Sequence, residues 1–142
     1  MRIQLLRPGD ETLLQRVEAL FWPGKAPSLE RAAALLREPT FVMAVALTDD
    51  GEVMARIYGH VLHRFEATDL LMYEVDTVEA HRRKGAARAI IAFLERLAVD
   101  RGWREIWVLT DVDNDAGNGL YRSAGGTLEN SPANMYVFKT RA

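Results

Sequence analysis

The sequence predicts an α/β (α+β) fold in which a mixed, mostly antiparallel sheet of six to seven strands has helices on both faces. Two observations support this class. Three apolar, β-branched segments follow one another with short polar turns between them, which is typical of an antiparallel meander. At His81 the spacing of apolar residues changes from two to about 3.6, so a helix connects two strands that are not hairpin partners. Such a connection favours a right-handed crossover and therefore a mixed sheet.

The N-terminal part contains one strand and two helices. Residues 2–6 form the strand, which Pro8-Gly9 ends. Asp10 is expected to cap a first helix, because apolar residues recur at helical spacing from Leu13 to Phe21. Ser28 is expected to cap a second helix, which a proline at position 39 stops.

The remaining elements form the meander and the crossover. Strands are predicted at 40–48, 53–65 and 70–78, and Asp49-Asp50-Gly51 makes the first turn between them. A helix follows from His81 to its end at Gly102, with an apolar stripe along one side. A strand at 105–111, a loop and short helix at 114–124 and a last strand at 134–140 complete the prediction.

The composition indicates one cytoplasmic domain over residues 1–142. The chain has 142 residues, 49% of them apolar, which is enough for a core without disulfides or structural metal. It has no cysteine, and its three histidines lack metal-ligand spacing, so no metal site is expected. A net charge of −2 argues against a nucleic-acid partner. No apolar stretch approaches the roughly 18 residues of a membrane span, so no membrane association is expected.

One segment, residues 73–88, carries a chemical prediction because it runs from a strand through a short turn into the start of a helix. The first N–H groups of a helix lack partners within the helix and lie at the positive end of its dipole. Three small residues, Gly85, Ala86 and Ala87, leave this backbone accessible. The surrounding basic residues are Arg82, Arg83, Lys84 and Arg88. Together these features predict a phosphate-binding site, and a merely solvated basic helix start is the alternative.

Two motifs resemble signatures of the GCN5-related N-acetyltransferases. Arg82-x-x-Gly85-x-Ala87 after an apolar strand is similar to the acetyl-CoA signature of that family. The second motif is Asn114-x-x-Gly117-x-x-Leu120-Tyr121. Within the superfamily, the pattern most closely resembles class I aminoglycoside 3-N-acetyltransferases, through Phe65-Glu66, the Y-acid-V run at Tyr73, HRR at His81 and D-x-x-N-D at Asp111. The resemblance covers most of the chain after about residue 40 and implies the fold of that family.

The resemblance implies that acetyl-CoA is the cofactor and assigns residues to it. Val75, Asp76 and Thr77 would hydrogen-bond the pantetheine arm through their backbone, as an added strand does. The residues implied at the pyrophosphate are Arg82, Arg83, Lys84, Gly85, Ala86, Ala87 and Arg88. In the second motif, Asn114, Gly117 and Tyr121 would line the cofactor. Tyr121 would protonate the leaving thiolate, for which a phenol pKa of about 10 is suited, and simple packing under a helix is the alternative.

The acceptor side needs a group that takes a proton from an ammonium before the amine attacks a thioester. Glu74 and Asp76 lie two apart on one strand, so they point to the same face and are candidate bases. The candidate substrate contacts are Glu74, Asp111, Asp113 and Asp115, and the resemblance implies Glu66 as a further one, because it aligns with an acidic position of the family. The three aspartates follow the end of a strand, where ligands commonly bind in open α/β sheets. Solvated side chains without a chemical role are the alternative for all of these acids.

The sequence therefore predicts an acetyl-CoA-dependent N-acetyltransferase that acetylates a primary amine by direct attack. The candidate acceptor is a small molecule, an aminoglycoside or another polycationic amine. One departure counts against an aminoglycoside: residues 135–139 are Met-Tyr-Val-Phe-Lys, whereas the class I relatives have His-Phe-Asp in this strand. The alternative function is an acyl-CoA-binding regulatory module without turnover. The resemblance also implies a possible homodimer.

Overall fold

A single sheet runs through the computed structural model, which describes residues 1–129 and 133–140. Its strands are β1 (Arg2–Leu5), β2 (Phe41–Leu47), β3 (Val53–His63), β4 (Thr68–Thr77) and β5 (Ile106–Val108). The helices are α1 (Glu11–Phe21), α2 (Leu29–Arg37), α3 (Ala86–Arg101) and α4 (Asp115–Ser123). A short 3-10 turn, Glu79–His81, precedes α3. Strands β1 to β4 are antiparallel neighbours in chain order, and β5 is parallel to β4.

The predicted fold class is confirmed, because the two faces of the mixed sheet are covered by different helices. Helix α3 packs on one face through Ile90 and Leu94, against inward-facing residues of β2, β3 and β4. Helices α1 and α2 pack on the opposite face, where Leu14 and Val17 contact the other set of β2 side chains. The crossover from β4 through α3 to β5 follows the change in apolar period that the sequence showed at His81.

A β-bulge in β4 decides which face its acidic residues occupy. Tyr58 of β3 lies opposite Glu74, whereas the next residue, Gly59, lies opposite Met72, so Tyr73 has no partner in β3. Met72 packs on the α3 side, and after the extra residue it is Val75 that does so. An inserted residue inverts the strict alternation of a strand. Glu74 therefore lies on the face covered by α1 and α2.

Gly59 makes the bulge possible. A Cβ at this position would lie 2.9 Å from the carbonyl carbon of Leu71 and closer still to its oxygen, so no side chain fits between the two strands. Glycine is typical of such close backbone approaches within a strand. The bulge therefore depends on having a glycine at position 59.

Strands β4 and β5 separate near the bulge. The pairing between them covers only residues 70–72 of β4 and 106–108 of β5. Within the described residues, the part of β4 from Tyr73 to Thr77 has β3 as a partner on one side and no strand on the other. This leaves a row of main-chain groups available at the middle of the sheet, directly before the turn that leads into α3.

The predicted strand at 134–140 is wrong: residues 133–140 carry no regular secondary structure. Its apolar residues, from Met135 to Phe138, are exposed. β-branched and aromatic residues suit a strand only when a neighbouring strand supplies hydrogen bonds, and this segment has none in the described chain. The sheet has five strands in the described residues, rather than six to seven. The free edge of β5 borders a groove of about 670 Å³ lined by Ile91, Val108 and Leu128, among others.

Smaller differences concern the ends of elements. Asp10 lies at the N-terminus of α1, but its side chain accepts a hydrogen bond from the N–H of Arg7 instead of capping the helix. Ser28 does cap α2, accepting from the N–H of Arg31. Helix α3 begins at Ala86, later than predicted, because the 3-10 turn uses the residues up to His81.

None of the helices in the described ranges is both long enough and apolar enough to cross a membrane. The single domain over residues 1–142, the cytoplasmic location and the homodimer stay predictions of the sequence.

Candidate active site

The segment 83–88 presents consecutive main-chain donors at the start of α3. Gly85 precedes the helix with a φ of 76°, and Arg83 also has a positive φ, 64°. Among the described residues, no protein acceptor binds the N–H groups of positions 83–88, whereas Ala89 is the first to bond back, to the carbonyl of Gly85. Successive N–H groups near a left-handed residue form a concave anion site. The geometry of this segment is therefore suited to an anion.

Exposed cations surround this segment. Arg82, Arg83 and Arg88 are exposed and form no ion pair within the described chain. Lys84 turns back, with its Nζ 3.3 Å from Nδ1 of His81. The His81 ring is buried and its Nε2 lies 2.9 Å from a carboxylate oxygen of Glu52, so this histidine belongs to the scaffold and not to the anion site.

Tyr121 on α4 is half-buried and packs against the core on the α3 side of the sheet, where it lines the groove beside β5 together with Met72 and Val108. Burial raises the pKa of the Tyr121 phenol, and the negative charge of Asp76 raises it further. The phenol is thus held in its protonated form across the neutral range, which suits a proton donor.

The other two residues of the second motif have a structural task. The Asn114 side chain caps α4: its Oδ1 accepts from the N–H of Gly117 at 3.1 Å, and its Nδ2 donates to Thr110 at 2.8 Å. A Cβ on Gly117 would approach Nδ2 of Asn114 to 2.5 Å. Because both polar atoms of Asn114 are occupied, the structure does not present this side chain to a cofactor, and Gly117 makes room for the cap.

A fully buried arginine joins the acidic residues on the opposite face of β4. Nε and Nη2 of Arg56 donate to the two carboxylate oxygens of Glu18 on α1, at 2.7 and 2.9 Å. Nη2 also donates to Glu74 at 3.0 Å, and Nη1 donates to Asp76. Burial lowers the pKa of Arg56, but hydrogen bonds and charge from Glu18 and Asp76 outweigh this effect and raise it. We call Glu18, Glu74 and Asp76 around Arg56 the acid cluster.

The acid cluster has a graded exposure. Arg56 has 0% of its side chain exposed and Glu18 11%, whereas Glu74 has 27% and Asp76 44%. Three carboxylates against one guanidinium give an excess of negative charge when all are ionised, and Glu74 and Asp76 present that charge to solvent. A cation approaching this face of the sheet therefore meets these two carboxylates first.

The other predicted acids do not belong to the acid cluster. Glu66 pairs with Arg64 at 3.0 Å in the turn before β4, and six strand residues, or about 20 Å, separate that end of β4 from Glu74. The structure therefore does not bring Glu66 together with the acid cluster, and its role as a substrate contact stays a prediction. Asp111 and Asp113 lie exposed in the loop after β5, and Asp115 is the exposed first residue of α4. Because β5 is parallel to β4, this loop lies at the same end of the sheet as the acid cluster.

A model of the acetyltransferase (GNAT) family matches residues 11–125. The chain belongs to this family. It is an N-acetyltransferase that depends on acetyl-CoA. A search of curated proteins found no match to the sequence.

Three solved structures are similar to this acetyltransferase. The aminoglycoside acetyltransferase meta-AAC0020 from an uncultured soil metagenomic sample, in complex with sisomicin, is 21% identical with a TM-score of 0.86, covering 98% of this chain and 96% of that chain. The aminoglycoside acetyltransferase HMB0005, also from an uncultured soil metagenomic sample, is 25% identical with a TM-score of 0.84, covering 96% and 98%. AAC(6')-Iy, in complex with the bisubstrate analogue CoA-S-monomethyl-acetylneamine, is 17% identical with a TM-score of 0.82, covering 98% of each chain.

Sequence reasoning about this acetyltransferase missed Arg56 and Glu18. The signal was an arginine within the apolar run Val-Met-Ala-Arg-Ile-Tyr at 53–58, in the middle strand of the predicted meander. A charged residue is rarely buried in a strand without an ionised partner. Such an arginine therefore indicates buried carboxylates nearby, and Glu74 and Asp76 were already singled out.

Proposed function

We propose that this acetyltransferase transfers an acetyl group to a primary amine by direct attack, and that the acceptor is a polycationic small molecule such as an aminoglycoside. One observation carries the proposal. The acid cluster lies where β4 separates from β5, and its two most exposed carboxylates, Glu74 and Asp76, lie on the strand that also borders Tyr121. A cation-binding surface and a proton donor therefore lie on the two faces of one strand, next to the opening between β4 and β5.

The cofactor is proposed to bind along the open part of β4 and at the start of α3. The free N–H groups of residues 83–88 fit a diphosphate, with Arg82, Arg83, Lys84 and Arg88 around it and Gly85, Ala86 and Ala87 leaving space. The main chain of Val75, Asp76 and Thr77 would pair with an amide-containing arm as with an added strand. Acetyl-CoA supplies the activated acetyl group as a thioester when it is bound there.

The acid cluster is proposed to bind the ammonium and to remove its proton. The excess negative charge attracts the cation, and Glu74 or Asp76 accepts the proton directly or through one water. Arg56 holds both carboxylates in place through its hydrogen bonds. The neutral amine then forms the new N–C bond while the C–S bond breaks.

Groups on β4 and α4 are proposed to stabilise the developing negative charge and to protonate the leaving thiolate. A main-chain N–H of the bulged part of β4 is proposed to donate to the acetyl oxygen, on which negative charge develops during attack. The Tyr121 hydroxyl is proposed to protonate the departing thiolate sulfur. Its raised pKa keeps that proton available in neutral solution. The second proton, which nitrogen loses as the amide forms, restores the Tyr121 phenol through solvent. No covalent enzyme intermediate is needed, in agreement with a chain that has no cysteine.

The proposed nature of the acceptor rests on charge and on the ligands bound in the similar structures. The complexes with sisomicin and with CoA-S-monomethyl-acetylneamine support an aminoglycoside-like amine. The exposed Asp111, Asp113 and Asp115 are proposed to extend the negative surface toward further ammonium groups. Because the sequence resembles class I aminoglycoside 3-N-acetyltransferases, the 3-amino group is proposed as the acetylated position on such a substrate.

Thiol release from acetyl-CoA with a panel of amines tests the function. The panel contains aminoglycosides, linear polyamines, monoamines and peptides with free N-termini, and we expect kcat/KM to rise with the number of ammonium groups. Turnover confined to peptides would overturn the acceptor class. Binding of acetyl-CoA without turnover on any amine would favour the regulatory module instead. NMR of a purified acetylated aminoglycoside then identifies the modified nitrogen.

A further inference from the structure

Four aromatic side chains lie side by side on the face of the sheet that carries the acid cluster. Phe41 of β2, Tyr58 and His60 of β3, and Tyr73 of β4 form this aromatic strip. The ring centroids of Phe41 and Tyr58 are 5.8 Å apart, those of Tyr58 and Tyr73 are also 5.8 Å apart, and those of His60 and Tyr73 are 6.4 Å apart. None of these rings has a task in the proposed acetyl transfer.

The aromatic strip is continuous with the acid cluster. Tyr58 lies directly opposite Glu74 in the β3–β4 pairing, and the guanidinium carbon of Arg56 lies 5.2 Å from the Tyr58 ring centroid. Burial and the charge of Glu74 raise the pKa of Tyr58 to about 12, which is a sign of how close the phenol is to that carboxylate. An ammonium held by Glu74 would therefore have an aromatic surface beside it.

Tyr73 is the exposed end of the aromatic strip. It is the bulged residue of β4, and it is 61% exposed, although its ring contacts Tyr58 and His60. Large aromatic side chains in strands usually bury most of their area. The bulge instead directs one ring toward solvent next to two carboxylates.

We propose that the aromatic strip binds the ring that carries the acceptor amine, so that the preferred acceptors are cyclic amines. This inference rests on the proposed function and names the substrate class more narrowly. A sugar or cyclitol ring has an apolar C–H face that packs on an aromatic ring while its ammonium binds Glu74 and Asp76. A linear polyamine of equal charge satisfies the carboxylates but has no flat face for Tyr73. Charge alone would not distinguish these two acceptors.

A matched pair of amines tests the proposal: 2-deoxystreptamine, which carries two amines on one ring, and a linear diaminopropane with the same amine spacing. We expect a lower KM for the cyclic amine. Tyr73→Ala should raise the KM of the cyclic amine about threefold to tenfold and leave that of the linear amine unchanged, which is the range typical of an aromatic contact. Tyr73→Phe should behave as the parent chain, since it keeps the ring.

Phe65→Ala is the control, because Phe65 is a fully exposed aromatic residue in the turn at the far end of β4. It should change neither KM. The inference is overturned if Tyr73→Ala raises both KM values equally or neither. It is also overturned if the parent chain acetylates both amines with the same KM. Failure to acetylate any amine would instead contradict the proposed function, so the two failures are distinguishable.

Discussion

The proposed cofactor half of the site is formed by main-chain groups, whereas the proposed acceptor half is formed by side chains. At the start of α3, the 83–88 segment presents main-chain N–H groups from neighbouring residues, and its cations are exposed. On the other face of the sheet, the acid cluster is made of side chains from α1, β3 and β4. Arg56 at its centre is fully buried, and it reaches Glu18 38 positions away and Asp76 20 positions away.

This difference determines how each half of the site responds to amino-acid substitution. A main-chain site depends on local backbone conformation, so most side-chain changes around it remove only one cation each. A buried charged cluster depends on all of its members, because removal of one partner leaves the others without compensation in a region of low dielectric. The acid cluster should therefore be the more sensitive half.

The largest effect is expected from Arg56→Met. The substitution leaves three carboxylates facing one another, and breaking a buried ion pair costs roughly 3–5 kcal/mol. We expect the free energy of unfolding in urea to fall by about that amount and amine turnover to be lost.

Arg2→Met is the control for Arg56→Met, since Arg2 is exposed and bonds only Gln4 through its side chain in the described chain. Its free energy of unfolding should change by less than about 0.5 kcal/mol. Equal losses in the two variants would contradict a special role for the buried cluster.

Tyr121→Phe should lower kcat by about 10²-fold, the lower end of what a positioned acid contributes. The ring stays in the core, so the Kd of acetyl-CoA and the free energy of unfolding should remain near those of the parent chain. Tyr136→Phe changes an exposed tyrosine and serves as the control. An unchanged kcat in Tyr121→Phe would remove the proton-donor role.

Gly85→Ala and its control, Gly102→Ala, compare the start of α3 with its end. Gly85 and Gly102 flank the helix with φ values of 76° and 71°, and in both a Cβ would meet nothing within 4 Å. Each alanine should therefore cost about 1–2 kcal/mol of stability through the left-handed conformation alone. Only Gly85→Ala should also weaken acetyl-CoA binding, by about fivefold in calorimetry, because the segment relaxes around the N–H donors. Equal Kd values in the two variants would show that the segment does not bind the cofactor.

At neutral pH the smallest effect is expected at Tyr58, because its contribution to stability changes only in alkaline solution. The pKa of Tyr58 is raised from 10.0 to about 12, by burial first and by the charge of Glu74 second. The folded chain therefore favours the neutral phenol, and this contribution to stability is complete below pH 10 and lost as the pH rises through about 12. In urea denaturation across this range, Tyr58→Phe should show a shallower decline than the parent chain. An identical decline would mean that Tyr58 ionises as easily in the folded chain as in the unfolded one.

Local patterns predicted much of the fold. The order of elements, the Ser28 cap and the crossover followed from periodicity and from residues next to each other in the chain. The pattern failed where a partner was needed from elsewhere. The apolar run at 135–138 has strand-forming residues, yet no neighbouring strand pairs with it in the described structure. The role that the resemblance assigned to Asn114 at the cofactor stays a prediction, and in the structure its side chain caps α4.

The candidate site shows the same division. The small residues and cations at 82–88 were evident from the sequence because they are contiguous. Arg56 and Glu18 were not, because their contact depends on α1 packing across β3. Glu66 was placed with the acceptor acids by its position in the pattern, but the length of β4 separates it from them.

By itself, the sequence determined that Gly85 can take a left-handed conformation before a helix, and that Glu74 and Asp76 lie on one side of a strand. Both are properties of neighbouring residues, set by backbone sterics and by the two-residue repeat of a strand. Only the tertiary structure decided which side of the sheet the two acids face. Pairing with β3 places an extra residue at Tyr73, and that bulge turns both carboxylates away from α3 and onto Arg56.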